Sequence, residues 1–265
     1  MAKYLFDNLK VMNKFKNDKN TAIITDIDGT ISEIAPTPGE AVISPNMKHT
    51  IIKLKEKFKL VAVISGRSVY NAQEMVGVDG ILYVGNHGLE FIFDGEYSIA
   101  PEVEEYLWQV KRLSEQLNEE LSGIDGIFLE DKGICSSIHY RQCKNPEMVR
   151  VKIIDSIKES PQSKNLQISE GRKLVEIKPP STYNKGTIIH KIIKDYGLKK
   201  IIYLGDDITD ADAFKRLKEL EKDQLIVSAS ILVISQEIPA YIKNSASFFV
   251  HNITEVLRLF RWLLD

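Results

Sequence analysis

"TAIITDIDGTIS", residues 21–32, runs a short apolar stretch straight into two aspartates separated by a single residue. A carboxylate at the edge of a core is costly unless something charged or hydrogen-bonding meets it. The run Ala22–Thr25 reads as a strand covered on both faces, and Gly29 lets the chain turn sharply behind it. Alternation along an extended backbone sends the Asp26 and Asp28 side chains to the same side. Open α/β sheets bind ligands beyond the carboxyl ends of their strands. The stretch therefore predicts a fold and a site together.

Three simpler readings compete. Asp-Gly can be an ordinary turn. A calcium loop fits poorly: its glycine is absent, Thr37 stands where the twelfth-position glutamate belongs, and a strand rather than a helix leads in. A phospho-acceptor receiver domain also clusters aspartates, but this chain is far longer and its second acidic pair comes late.

Elsewhere the same pattern repeats. Apolar runs recur at 60–64, 81–84, 201–204, 225–227 and 248–250, separated by helical patterns. In "PNMKHTIIKLKEKF", Ser44 and Pro45 start a helix that carries Met47, Ile51, Leu54 and Phe58 on one stripe. "NKGTIIHKIIKDYG" repeats the scheme and stops at Gly197. Strands alternating with helices predict a doubly wound, parallel-sheet α/β core. Residues 100–178 differ: one long helix over 101–123, two strands, a helix from about Pro146 to Glu159, and two more strands. This αββαββ order predicts an α+β domain inserted into a core made of residues 1–99 and 179–265, with Trp108 and the leucine stripe of its first helix serving packing.

The chain has 265 residues, 43% hydrophobic and 27% charged, with a net charge of −2. That composition suits a globular protein and gives no global attraction for nucleic acid or an acidic membrane. Cys135 and Cys143 lack a metal-binding spacing and read as ordinary thiols. The Lys-rich lead-in is not a secretory signal, and no apolar run reaches transmembrane length. A cytoplasmic monomer without nucleic-acid or membrane partners is expected.

Other strand ends decide among the readings of the opening stretch. "AVISGRS" places Ser65 and Arg67 after an apolar run, and Lys185 in "YNKGT" begins a helix, where backbone N–H groups favour anions. "IIYLGDDITDADAF" ends a late run in Asp206 and Asp207, with Asp210 close behind. The set is complete for phosphoryl transfer through an aspartyl-phosphate. One carboxylate attacks phosphorus, a hydroxyl and an ammonium hold the phosphoryl oxygens, and a second acid handles the leaving-group proton. A magnesium ion offsets the repulsion between anions.

"DIDGT", "SGR", "NKG" and "GDD" resemble the four motifs of the haloacid dehalogenase (HAD) superfamily of phosphatases. "GNHGLE", "EDKGICSSIHYR", "VEIKP" and "GDDITDADAF" are similar to stretches of trehalose-6-phosphate phosphatases, although Ile27 and Asn86 depart from the usual wording. The resemblance implies Asp26 as nucleophile and metal ligand, and Asp28 as general acid/base that also binds the metal through its carbonyl. It implies Ser65 and Lys185 as phosphoryl ligands, Asp206 as a metal ligand, and Mg2+ as cofactor. Asp207 and Asp210 either support the metal shell or compensate a helix N-terminus. Glu130, Lys132 and Glu176 are implied to grip the distal glucose of a small sugar-phosphate substrate. Arg67 either orients phosphate or pairs with an acid. His87 lines the mouth of the site or is structural. A phosphatase for another sugar phosphate, or a phosphosugar sensor without turnover, remains the alternative.

Overall fold

The computed structural model describes residues 2–171, 173–234 and 242–265. Its strands are β1 (Lys3–Tyr4), β2 (Thr21–Thr25), β3 (Leu60–Ile64), β4 (Leu82–Gly85), β5 (Glu90–Phe93), β6 (Glu96–Ile99), β7 (Phe128–Asp131), β8 (Ser136–His139), β9 (Gln167–Gly171), β10 (Leu174–Lys178), β11 (Lys200–Gly205), β12 (Val227–Val233) and β13 (Phe248–Val250). Its α-helices are α1 (Leu9–Met12), α2 (Pro45–Lys57), α3 (Val69–Val76), α4 (Leu107–Leu121), α5 (Pro146–Glu159), α6 (Lys185–Asp195), α7 (Ile208–Lys222) and α8 (Ile253–Leu264). Two compact units result, one of Met1–Ser98 with Tyr183–Asp265, the other Ile99–Thr182.

The larger unit is an α/β layer built on a nine-stranded sheet in the order β1-β13-β12-β11-β2-β3-β4-β5-β6. The six strands from β13 to β4 run parallel. Every residue of β2 and β3 is buried, which is why both read as continuous apolar runs. Alternate residues serve opposite faces. Ile23, Val61, Val63 and Leu204 meet Met47, Ile51 and Leu54 of α2 and Val256, Leu259 and Leu263 of α8. Ile24, Ala62, Ile64 and Ile201 meet Ile188 and Ile192 of α6 and Phe214 and Leu217 of α7. The chain leaves β2 toward β3 on one side and returns through β11 on the other, so β2 and β11 flank a topological switch point. Ser44 caps α2 by accepting from the Met47 N–H at 3.2 Å, and Gly197 adopts a left-handed φ of 58° just past α6.

Several details differ from the sequence expectations. The run at 225–227 is not the strand: Leu225 is exposed, and β12 begins at Val227, pairing along β11 from Lys200 to Gly205. Buried Ser228 and Ser230 interrupt its apolar pattern and disguise it. A β5–β6 hairpin extends the sheet, with β5 antiparallel to β4. Asp94 and Gly95 turn it at φ 49° and 82°, the Asp-Gly signature of a tight hairpin.

In the smaller unit a four-stranded antiparallel sheet, β7-β8-β10-β9, packs against α4 and α5. Residues Pro101–Tyr106 form a 3-10 helix before α4 rather than continuing it; of these residues only Val103 is buried, so little packing favours α geometry there. Trp108 is not a packing residue but 62% exposed, with Arg112 lying over its ring. The buried stripe is Val110, Leu113, Leu117 and Leu121, and Trp108 lies roughly 200° around the helix from Val110.

Candidate active site

The ends of three adjacent strands, β11, β2 and β3, deliver Asp206, Asp26 and Ser65. The Asp26 N–H continues the ladder by donating to Leu204 O at 2.9 Å, so its side chain leaves the sheet edge in a fixed direction. Gly29 sits at φ 79°, and a Cβ there would collide with the Asp206 carboxylate. The glycine is therefore what lets the first and last acidic motifs close on each other. Carboxylate oxygens of Asp26, Asp206 and Asp210 lie within 4.8 Å of one another, all three residues buried.

Lys185, at the start of α6, brings its ammonium 3.3 Å from Asp26 and 2.7 Å from Asp210 with only 2% of its side chain exposed. Asp210 is already fully engaged. Its Oδ1 accepts from Lys185 and, at 2.6 Å, from the Tyr203 hydroxyl. Its Oδ2 accepts from the backbone N–H groups of Asp206 and Asp207 at 3.0 and 3.1 Å. Asp210 thus fixes the lysine and the turn into α7. Asp207 caps α7, accepting from the N–H groups of Thr209 and Asp210.

Burial would depress the Lys185 ammonium, but Asp210 and then Asp26 hold its pKa well above the ordinary range. It stays charged. Burial pushes Asp26 well up; Lys185 opposes this, while Asp210, Asp206 and Asp207 reinforce it. A cluster with several carboxylates and one ammonium needs further positive charge to keep Asp26 ionised. Asp207 goes the other way. Burial would raise it, yet the Lys185 charge and hydrogen bonds from Thr209 bring it down to about 2.

Arg67 grips Asp28 with two parallel hydrogen bonds of 2.7 Å, and also donates to Pro38 O and Asn71 Oδ1. Of the two roles open to it, this geometry displays the acid pairing. Ser65 is buried and its Oγ accepts from the Arg67 N–H at 3.2 Å. His87 packs on Gly66 between Ser65 and Arg67. Glu90, which the sequence reading passed over, is 2% exposed and joins this region to the rest by accepting from the Val69 N–H and from Asn86, each at 2.7 Å. Tyr203 was also missed, being one aromatic in an apolar strand.

On the smaller unit, Glu130, Ser137 and Glu176 form a row across β7, β8 and β10. Lys132 lies 3.9 Å from Glu130 and 3.7 Å from Glu176. His139 contacts Glu130 at 2.9 Å, and Lys178 lies 3.6 Å from Glu176. Ser137 Oγ is buried without a hydrogen-bond partner among the described residues. His139 and Ser137 were within reach of sequence reasoning, since both alternate onto this face in "CSSIHY".

Fold and strand-end geometry together define an α/β protein with a buried, charged site at the carboxyl ends of its parallel strands. The family model for trehalose-phosphatase matches residues 24–252, and the chain belongs to that family. It is 29% identical over 241 residues to probable trehalose-phosphate phosphatase G of Arabidopsis thaliana, covering 81% of this chain and 63% of that one. It is 29% identical over 206 residues to the trehalose-phosphate phosphatase of Mycobacterium avium, covering 76% and 52%. The chain thus spans less than two thirds of these relatives. The C-terminal domain of C. albicans trehalose-6-phosphate phosphatase shares the fold with a TM-score of 0.76 at 19% identity, covering 100% of this chain and 99% of that one. The family implies a divalent cation, and clustered, buried carboxylate oxygens suit a hard metal ion. Among the described residues no helix is long and apolar enough to cross a membrane.

Proposed function

We propose that this chain is a Mg2+-dependent phosphatase that hydrolyses trehalose 6-phosphate to trehalose and phosphate. The single observation carrying the reading is the convergence of Asp26, Asp206 and Lys185 at the ends of adjacent elements, with Lys185 3.3 Å from Asp26. Asp26, Asp206 and the Asp28 carbonyl would hold the magnesium, which would supply positive charge to offset the repulsion between the carboxylates and the phosphate.

An Asp26 carboxylate oxygen attacks phosphorus, and the bond from phosphorus to the sugar oxygen breaks. Asp28 protonates the departing alkoxide, then takes a proton from water as that water attacks the aspartyl-phosphate. Inorganic phosphate leaves and Asp26 is regenerated. Arg67 holds Asp28 through a double hydrogen bond that must open before Asp28 can give a proton. Ser65 and Lys185 bind the phosphoryl oxygens, and Asp210 keeps the lysine aimed. On the smaller unit, Glu130, Lys132 and Glu176 bind hydroxyls of the distal glucose, and unpartnered Ser137 Oγ suits the same hydroxyl-rich ligand. Cys135 and Cys143 are buried and form no disulfide, which agrees with a cytoplasmic setting.

Phosphate release from a panel of sugar phosphates tests this. Trehalose 6-phosphate should be turned over fastest with Mg2+, and activity should vanish with chelator. Undiminished turnover in chelator sinks the metal assignment; a faster sugar phosphate sinks the substrate.

A further inference from the structure

The loop that follows β4, Asn86–Gly88, is built with unusual constraint. Asn86 and His87 are consecutive non-glycine residues in the left-handed region, at φ 47° and 56°. The loop is pinned on all sides. Asn86 N–H donates to Arg67 O at 2.8 Å and its side-chain amide donates to Glu90. His87 N–H donates to Ser65 O at 3.0 Å. Gly88 presses against Ile188 of α6 so closely that a Cβ would collide with it. Held non-glycine residues at positive φ concentrate at ligand-binding sites, because the surrounding structure must enforce them.

The consequence is the placement of the His87 ring. A Cβ on Gly66 would lie 2.6 Å from both Cε1 and Nε2 of His87, so the imidazole lies directly on the backbone of the Ser65-Gly66-Arg67 turn. The His87 charge also helps to lower the Asp207 carboxyl, which follows the end of β11. It is half-buried, with one side on the turn that carries Ser65. A residue needed only to close the loop would not require an imidazole, since Asn or Gly adopts the same backbone.

We propose that His87 is a phosphoryl-binding residue, its imidazole N–H donating to a non-bridging oxygen of the phosphate held by the Ser65 turn. This rests on the reading of that turn as the phosphoryl cradle.

The test uses His87→Asn, which keeps the left-handed backbone and removes the ring, with His87→Gly as the second variant should the first fold poorly. Inorganic phosphate is titrated as a competitive inhibitor of para-nitrophenyl phosphate hydrolysis. The inhibition constant and the KM should each rise by about tenfold, the ordinary range for a hydrogen bond to a charged group. An unchanged phosphate inhibition constant in a folded variant overturns the proposal. So does a loss confined to trehalose 6-phosphate, which would put the imidazole on the sugar. Failure of the underlying reading shows separately, as wild-type protein without Mg2+-dependent turnover of either substrate.

Discussion

Lys185 in the larger unit lies 2.7 Å from Asp210 with 2% of its side chain exposed, while Lys132 in the smaller unit lies 3.7 and 3.9 Å from its two glutamates. Around Lys185, Asp210 has every acceptor position filled by Lys185, Tyr203 and two backbone N–H groups. Lys132 stands from Glu130 and Glu176 at ion-pair rather than hydrogen-bond separations, and Glu130 keeps 21% of its side chain exposed. Charges packed as in the first case have one geometry and serve chemistry that needs one geometry. Charges spaced as in the second can regroup around a ligand's hydroxyls. Under the proposed function, bond-breaking falls to the first region and selection to the second.

The largest expected break comes from Asp26→Asn. Phosphate release should fall by about a thousandfold or more, as when a nucleophile is removed elsewhere. Stability should move oppositely. Burial and neighbouring carboxylates hold the Asp26 pKa well above its ordinary value, so its ionised form costs folding free energy at neutral pH. In chelator, the variant should melt no lower than wild type, and excess Mg2+ should raise the wild-type Tm more. Wild-type turnover by the variant would remove Asp26 from the mechanism.

Much of this region was legible in the sequence because its residues combine two signals: an unusual side chain and a position just past an apolar strand. Asp26, Ser65 and Asp206 satisfy both, and Lys185 has the analogous place at a helix start. Tyr203 satisfies neither, since a tyrosine in "IIYL" reads as packing until Asp210 is seen at its hydroxyl. The two roles of Arg67 could not be separated without knowing that Asp28 lies within its reach. The β5–β6 hairpin is a different kind of omission: Asp94-Gly95 announced it between alternating residues. β12 was misplaced because buried serines interrupt the periodicity on which strand reading depends.

An intermediate effect should follow Glu176→Gln. If the smaller unit selects, KM for trehalose 6-phosphate should rise between about tenfold and a hundredfold, the span expected for hydrogen bonds to a charged group. Turnover of para-nitrophenyl phosphate, which has no sugar, should stay within about twofold, because uniform binding is lost without touching the transition state. Equal losses with both substrates would erase the distinction between regions.

The smallest effect probes whether every charge in the larger unit is committed to chemistry. Asp207 caps α7, and its carboxyl is held down to about 2 from an ordinary 3.8. A depressed carboxylate stabilises the fold fully above its unfolded pKa and loses that contribution as pH falls through the folded one. The window is therefore pH 4 down to 2, and the contribution is on the order of 2 kcal/mol by that linkage. Asp207→Asn keeps a competent cap but removes the titration. Chemical denaturation across this window should show wild type losing more stability than the variant. Other carboxylates are depressed as well, Asp18, Glu147 and Glu170 among them, and these titrate in both proteins, so only the difference between the two curves reports on Asp207. Parallel curves would mean that the Lys185 charge does not reach the cap, confining its influence to Asp26 and Asp210.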